Sequence, residues 1–369
     1  MADARVIPIS GGDERPAGSS TSSAADAVAA GASRARGERS KRRPTPLLDH
    51  VSEPAEPERD DPVVVDEPLV VEEPVVVDEA LGDVADVAEM PEWERKVAAA
   101  LAFVRRRLTG DIEVDEFGFD AELTENVLLA LVRPLYEHYF RVEVRGLENV
   151  PAEGGALVVA NHSGTIPVDS VMTQVALLDH HPAHRHLRML GADLVFQMPV
   201  VGEMARKTGT TLACQADAER LLHKGELVGV WPEGFKGIGK PFSERYKLQR
   251  FGRGGFVSAA LRAEAPIIPC SIVGAEEIYP IIGNMKTLAR LLGLPYVPVT
   301  PTFPLLGPLG LVPLPSKWII EFGEPIATDG LGENAADDPM LVFNLTDQVR
   351  ETIQHTLYRL LMARRSIFF

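Results

Sequence analysis

The residues of this chain best placed to do chemistry stand where apolar runs break off. Residues Ala156 to Ala160 (ALVVA) form a run that reads as a buried strand, and it ends abruptly at Asn161, His162, Ser163 and Gly164. An imidazole is thereby delivered to the mouth of a strand. Asp169 follows past Pro167, at the start of a helical pattern through Val171, Met172, Val175 and Leu178, where it can either cap that helix or orient the His162 ring. A neutral imidazole so held can take a proton from a hydroxyl, help worth roughly 10² to 10⁴ in rate. The carboxylate fixes the tautomer and stabilises the imidazolium as it forms. A second run, Glu226 to Trp231 (ELVGVW), ends in Pro232, Glu233, Gly234, Phe235 and Lys236, and a third, Pro266 to Val273 (PIIPCSIV), ends in Gly274. On this pattern alone Glu233 is an ordinary turn carboxylate after a strand. The chain has no GxSxG elbow and no Walker A lysine, which argues against a serine lipase and a nucleotide hydrolase.

These residues need strands that end together and helices that cover them. With 45% hydrophobic and 24% charged residues, the 369-residue chain has the composition of a soluble globular protein, and two cysteines exclude a disulfide scaffold. Cys214 and Cys270 are expected as buried thiols in a reducing compartment. The net charge of −16 is unevenly held: residues 1–50 carry +2, residues 51–90 carry −13 and the remainder only −5. Residues 1–90 are expected to be a disordered acidic Pro/Val-rich tail, since they cannot bury enough apolar surface to offset chain entropy. Within them VVVDEP, LVVEEP and VVVDEA repeat from Val63 to Ala80, either as a linker or as strands for a protein partner, and Arg34 to Arg43 are basic. No basic patch with interleaved aromatics points to nucleic acid.

From Pro91 the pattern becomes periodic. Residues 91–109 form a basic amphipathic helix with Trp93, Val97, Leu101, Val104 and Leu108 on one face, suited equally to an anionic membrane surface and to core packing. A helix over 121–139 and a strand over 140–145 follow. Near the end, Leu341, Leu345, Val349, Ile353, Leu357 and Leu360 line one face of a helix from Pro339 to Arg364, which leaves Arg364, Arg365, Phe368 and Phe369 free to meet lipid. The stretch from Leu291 to Ser316 has no charge, but seven prolines exclude a regular transmembrane helix. It is read as a membrane-dipping or acyl-chain-lining loop, the alternative being a buried irregular loop. The N-terminus lacks a basic segment followed by an apolar one, so the expected location is cytoplasmic, peripheral on the cytoplasmic face of a membrane.

Four segments in this order resemble the glycerolipid acyltransferase family: VVANHSGTIPVD (Val158 to Asp169), GADLVFQMPVVGEMARKTGTT (Gly191 to Thr211), VWPEGFKG (Val230 to Gly237) and PIIPCSIVGAEE (Pro266 to Glu277). The resemblance covers roughly residues 140–325. It implies an α/β fold, a mixed sheet flanked by helices, in a domain over 110–365. It also implies transfer of a fatty acyl group from acyl-CoA, a co-substrate rather than a cofactor, to a glycerolipid hydroxyl at the membrane surface, with His162 and Asp169 catalytic and no metal. Two features depart from the family pattern. The family places its Asp five positions after the His, where this chain has Pro167, and phosphate-acceptor members carry an Arg in the second block and a PEGTR-like third block, where this chain reads GTTLACQ and PEGFK. The resemblance implies that Glu233 binds the acceptor or builds the site, and Arg206, Lys207 and Lys236 are the nearby cationic candidates for substrate binding, with Gly234. A guanidinium fork holds phosphate better than an ammonium, so a neutral acceptor such as mono- or diacylglycerol gains over a lysophospholipid.

Two further clusters complete the reading. FGRGG (Phe251 to Gly255), with Arg250 and Arg253, is a candidate for the donor's phosphates, and His180, His181, His184 and His186 crowd a loop expected to be solvated, without zinc-site spacing. Backbone amides near Ser163 and Gly164 or near Gly234 are expected to face the developing oxyanion. The rival readings are a non-catalytic lipid-binding protein, favoured if His162 and Asp169 stand too far apart to bond, and a lipid hydrolase.

Overall fold

The computed structural model describes residues 91–368 apart from 111, 164–165, 253 and 333. The acidic tail, its Val-rich repeat and the Arg34 to Arg43 cluster therefore lie outside the described residues, as does Phe369.

Helix α1 (Glu92–Thr109) ends at Gly110, whose positive φ closes the last turn. A helical run α2 (121–139) begins at Asp120, which accepts the Leu123 N–H as its cap, and widens to i to i+5 bonding before and after Pro134. Strand β1 (Glu143–Arg145) is shorter than the expected 140–145. There follow β2 (Ala156–Ala160), α3 (Val168–His180), β3 (Leu187–Gly191), the short helices α4 (Asp193–Gln197) and α5 (Val201–Lys207), and β4 (Thr211–Leu212). Then come α6 (Gln215–His223), β5 (Leu227–Val230), the single turn α7 (Phe235–Ile238), α8 (Gly255–Arg262) and β6 (Ile267–Val273). An excursion holding β7 (Gly283–Asn284), α9 (Lys286–Leu291) and β8 (Pro298–Val299) leads to β9 (Ile319–Phe322) and the long α10 (Pro339–Ala363).

Seven strands form one mixed sheet in the order β1-β9-β6-β2-β5-β3-β4, and β7 pairs with β8 apart from it. Within the seven-stranded sheet every pair is parallel except β6 with β9, so β6, β2, β5, β3 and β4 all end at one edge. After β2 the chain crosses to β3, returns to fill the gap with β5, and then places β6 on the other side of β2. The strand order thus reverses around β2, and a crevice opens beyond its C-terminal end, where open α/β sheets bind ligands.

Both faces of the sheet are covered, which explains why β2 is apolar throughout rather than alternating. Ala156, Val158 and Ala160 pack with α2 and α3, while Leu157 and Val159 face α6, α8 and α10. Val349, Ile353, Leu357 and Leu360 are buried along α10, as its spacing predicts. The result is the expected mixed sheet flanked by helices.

Three expectations need correction. Strand β3 goes unread because Arg188 interrupts its apolar pattern; the guanidinium is buried, bonded to Asp115 at 2.6 Å and stacked 4.6 Å from the Phe119 ring. Cys270 is buried in β6, but Cys214 is only half-buried at the start of α6. Arg364 is not free for lipid: it lies buried against Glu277 at 2.6 Å and donates to the Lys317 carbonyl.

Candidate active site

Asn161 terminates β2 and locks it to its neighbour. Its amide donates to the Ile272 carbonyl at 3.0 Å and accepts the Ile272 N–H at 2.7 Å, so the side chain replaces a ladder rung between β2 and β6. The next residue, His162, inherits that fixed backbone. Its Nδ1 lies 2.8 Å from Asp169 Oδ2, which also accepts the Ser163 N–H at 2.8 Å, while Asp169 Oδ1 accepts the Ser170 N–H. A carboxylate oxygen accepts, so Nδ1 donates to it, which makes Nε2 the basic atom of the neutral ring. Asp169 is fully buried, and the His162 side chain keeps 13% of its surface open. The bond closes across the longer spacing, with Asp169 in the first turn of α3.

Glu233 stands behind the histidine. Its Oε1 accepts the His162 N–H at 3.0 Å, its Oε2 accepts the Gln249 N–H at 2.6 Å, and the carboxylate is buried. Gly234 takes a positive φ to turn the chain from β5 into α7, and its N–H is used by the Trp231 carbonyl. Gly237 then passes close behind His162: a β-carbon there would lie 2.9 Å from the His162 carbonyl oxygen, so the approach requires glycine.

Sequence reasoning missed the layer beneath. Lys240 is buried between Glu233, at 3.3 Å, and Glu276, at 3.2 Å. Glu276 also accepts the Tyr246 N–H, and burial pushes its carboxyl up to about 7 against the pull of Lys240. Beside His162, two buried donors have no partner among the described residues, Ser163 Oγ and the indole Nε1 of Trp231, whose ring centroid is 6.1 Å from the imidazole. The expected amides of Ser163 and Gly234 are occupied by Asp169 and Trp231, so neither is free for an oxyanion; Gly164 lies outside the described residues. Tyr296 packs over Gly239 just past α7, and burial raises its phenol, with the Asp169 charge adding to the shift.

The cationic candidates do not converge. Arg206 lines a cavity of about 410 Å³ at the β3–β4 end of the same sheet edge, with Asp193, Asp217 and Thr210, and its guanidinium lies 4.8 Å from the Phe196 ring. Lys207 pairs with Glu203 at 2.9 Å, Lys236 is exposed on α7, and Arg253 lies outside the described residues. The histidine cluster is solvated only in part: His180 and His184 are exposed, while His181 and His186 are not. His181 is buried against the Val150 carbonyl, His184 bonds the Leu178 carbonyl, His186 pairs with Glu125 and His180 stacks on Tyr136.

A family model described as Acyltransferase matches residues 141–273. An uncharacterised protein of Mycobacterium tuberculosis is 63% identical over 273 residues, spanning 74% of this chain and 76% of the relative. A cattle protein named as a DGAT1/2-independent enzyme synthesizing storage lipids is 26% identical over 166 residues, 44% of this chain and 48% of its own. The crystal structure of the 1-acyl-sn-glycerophosphate acyltransferase of Thermotoga maritima matches with a TM-score of 0.43 at 20% identity, over 67% of this chain and 85% of that one. The matched span contains both the strand end bearing His162 and the turn bearing Glu233, and the chain belongs to the glycerolipid acyltransferase family.

Proposed function

We propose that the protein moves a fatty acyl group from acyl-CoA to the hydroxyl of a neutral glycerolipid, mono- or diacylglycerol, at a membrane surface. The observation that carries this reading is the 2.8 Å bond from His162 Nδ1 to a buried Asp169 at the open edge of the sheet. The rival lipid-binding reading needed that pair broken. His162 Nε2 takes the acceptor's proton as its oxygen attacks the thioester carbonyl. The C–S bond then breaks, and the imidazolium returns the proton to the leaving thiolate, giving an ester, free CoA and a neutral imidazole. Asp169 holds the tautomer and balances the transient positive charge. Ser163 Oγ and Trp231 Nε1 are the donors nearest the imidazole for the carbonyl oxygen as it gains charge.

The neutral acceptor is favoured by the charge around the second block. Arg206 shares its cavity with Asp193 and Asp217, and Lys207 is already paired, so no fork of uncompensated cations is offered to a phosphate. The membrane setting is supported by α1, where Val97, Leu101, Val104 and Leu108 lie exposed along one stripe between basic residues. Among the described residues no helix is long and apolar enough to cross a membrane.

The test is CoA release from a long-chain acyl-CoA in micelles holding monoacylglycerol, diacylglycerol or lysophosphatidic acid. Release dependent on a neutral acceptor and abolished by His162→Ala supports the reading. Fatty acid released without acceptor would replace it with the hydrolase.

A further inference from the structure

Between β6 and β9 the chain leaves the sheet, and from Ile278 to Ile320 it holds no carboxylate while carrying Lys286, Arg290 and Lys317. Residues 91–369 together carry −5, so this stretch, at +3, runs against the charge of the body that bears it. Exposed leucine gathers on the same excursion: Leu291, Leu305 and Leu309 are 81%, 84% and 72% exposed, so the buried-loop alternative does not hold. Exposed aliphatic side chains at this density within one stretch point to an interaction site.

The excursion is built rather than draped. Ile282 and Met285 donate across to the carbonyls of Val299 and Val297 at 2.8 and 2.9 Å, and the Tyr279 hydroxyl donates to the Leu311 carbonyl at 2.5 Å. At the tip, the N–H groups of Leu306, Gly307, Leu309 and Val312 bond carbonyls of Thr302, Pro304, Leu306 and Leu309. Pro304, Pro308 and Pro313 have no N–H to satisfy. Most backbone donors of the tip are thus spent internally, which is the condition for leaving water without a large penalty. The excursion also abuts the site, since Phe242 donates to the Ile281 carbonyl at 2.9 Å and Tyr296 covers Gly239 beside α7.

We propose that this excursion is the face by which the protein docks on an anionic lipid bilayer, the tip leucines entering the headgroup boundary while Lys286 and Arg290 meet lipid phosphates, Lys317 being held by Glu143 at 3.8 Å. The site's mouth would then open at the bilayer, which deepens the acyltransferase reading and rests on its acceptor being a membrane lipid. One-signed cationic charge around undirected aliphatic side chains fits a bilayer better than a protein partner, whose rim would present mixed charge.

The experiment is flotation of the full chain with vesicles of phosphatidylcholine alone or mixed with phosphatidylglycerol, using Leu291→Glu/Leu305→Glu/Leu309→Glu and Lys286→Glu/Arg290→Glu. The leucine variant is expected to lose on the order of a hundredfold in vesicle affinity, and the charge variant about fivefold per charge on mixed vesicles only. Each is also assayed for CoA release with a short-chain, water-soluble acceptor, which these exposed positions leave unchanged. Unaltered vesicle binding by the leucine variant overturns the proposal. So does a wild-type dimer in sedimentation that the leucine variant dissociates without change in flotation, since the face is then a self-association surface. Flotation by the wild type that is lost in the leucine variant, with the wild type inactive toward every acceptor, would uphold the docking face and refute the acyltransferase reading.

Discussion

Replacing Lys240 with methionine tests whether the buried layer holds the histidine in place. Methionine keeps much of the volume but leaves Glu233 and Glu276, which now share the ammonium at 3.3 and 3.2 Å, facing one another without a cation. Removing one partner of a buried ion pair costs about 3–5 kcal/mol, which for a domain of this size lowers the melting temperature by roughly 6–15 °C. The loss depends on pH in a defined direction. Burial already raises Glu276 to about 7, so the folded state binds more protons than the unfolded chain between about 4.5 and 7, and stability falls as pH rises through that window. Without Lys240 the window widens upward, so Lys240→Met destabilises more at pH 8 than at pH 5.5. Adding Glu276→Gln removes one of the two charges and recovers most of the loss. Because Glu233 Oε1 holds the His162 N–H, kcat falls about tenfold with little change in KM. Melting curves across pH for the parent, the single and the double variant decide the matter. A loss under about 2 °C at pH 8, or one equal at both pH values, would refute the reasoning.

Three other outcomes are expected. Asp169→Asn keeps the fold but offers an amide where the Nδ1–H and two backbone N–H groups need an acceptor, so kcat should fall by about 10³-fold or more in steady-state kinetics. Arg364→Met strands Glu277 in the interior and should cost about 3–5 kcal/mol in denaturant unfolding. The side-chain bond from Arg107 holds the Asp120 carboxyl below its usual range, so the contribution of this pair is present above about pH 4 and lost on acidification; limited proteolysis should cut α1 faster in Arg107→Ala or at low pH.

The catalytic candidates were legible because each sits where a strong pattern stops. The end of ALVVA and the first turn of the following helix place His162 and Asp169. Charged residues that the fold buries were not legible. Arg188 hid β3, and Arg364 looked like a surface cation, since nothing local announces Asp115 or Glu277 as partners. Lys240 and Glu276 are 36 positions apart and meet only once β6 lies beside β2. Nor could the sequence tell which turn amides are spent, as those of Ser163 and Gly234 are on Asp169 and the Trp231 carbonyl.

The arrangement of the sheet also orders the protein's synthesis. Strand β1 has no neighbour but β9, with Glu143 in register with Ile319, whereas β2, β5 and β6 pair among themselves. On a ribosome, the strand ends bearing His162 and Glu233 can come together once β6 has emerged, long before β1 has anything to join. The segment made before them waits on the one made last. The late arrival of β9 and α10 therefore seals a site already assembled, and until then the flank of β6 is an open edge available to other chains.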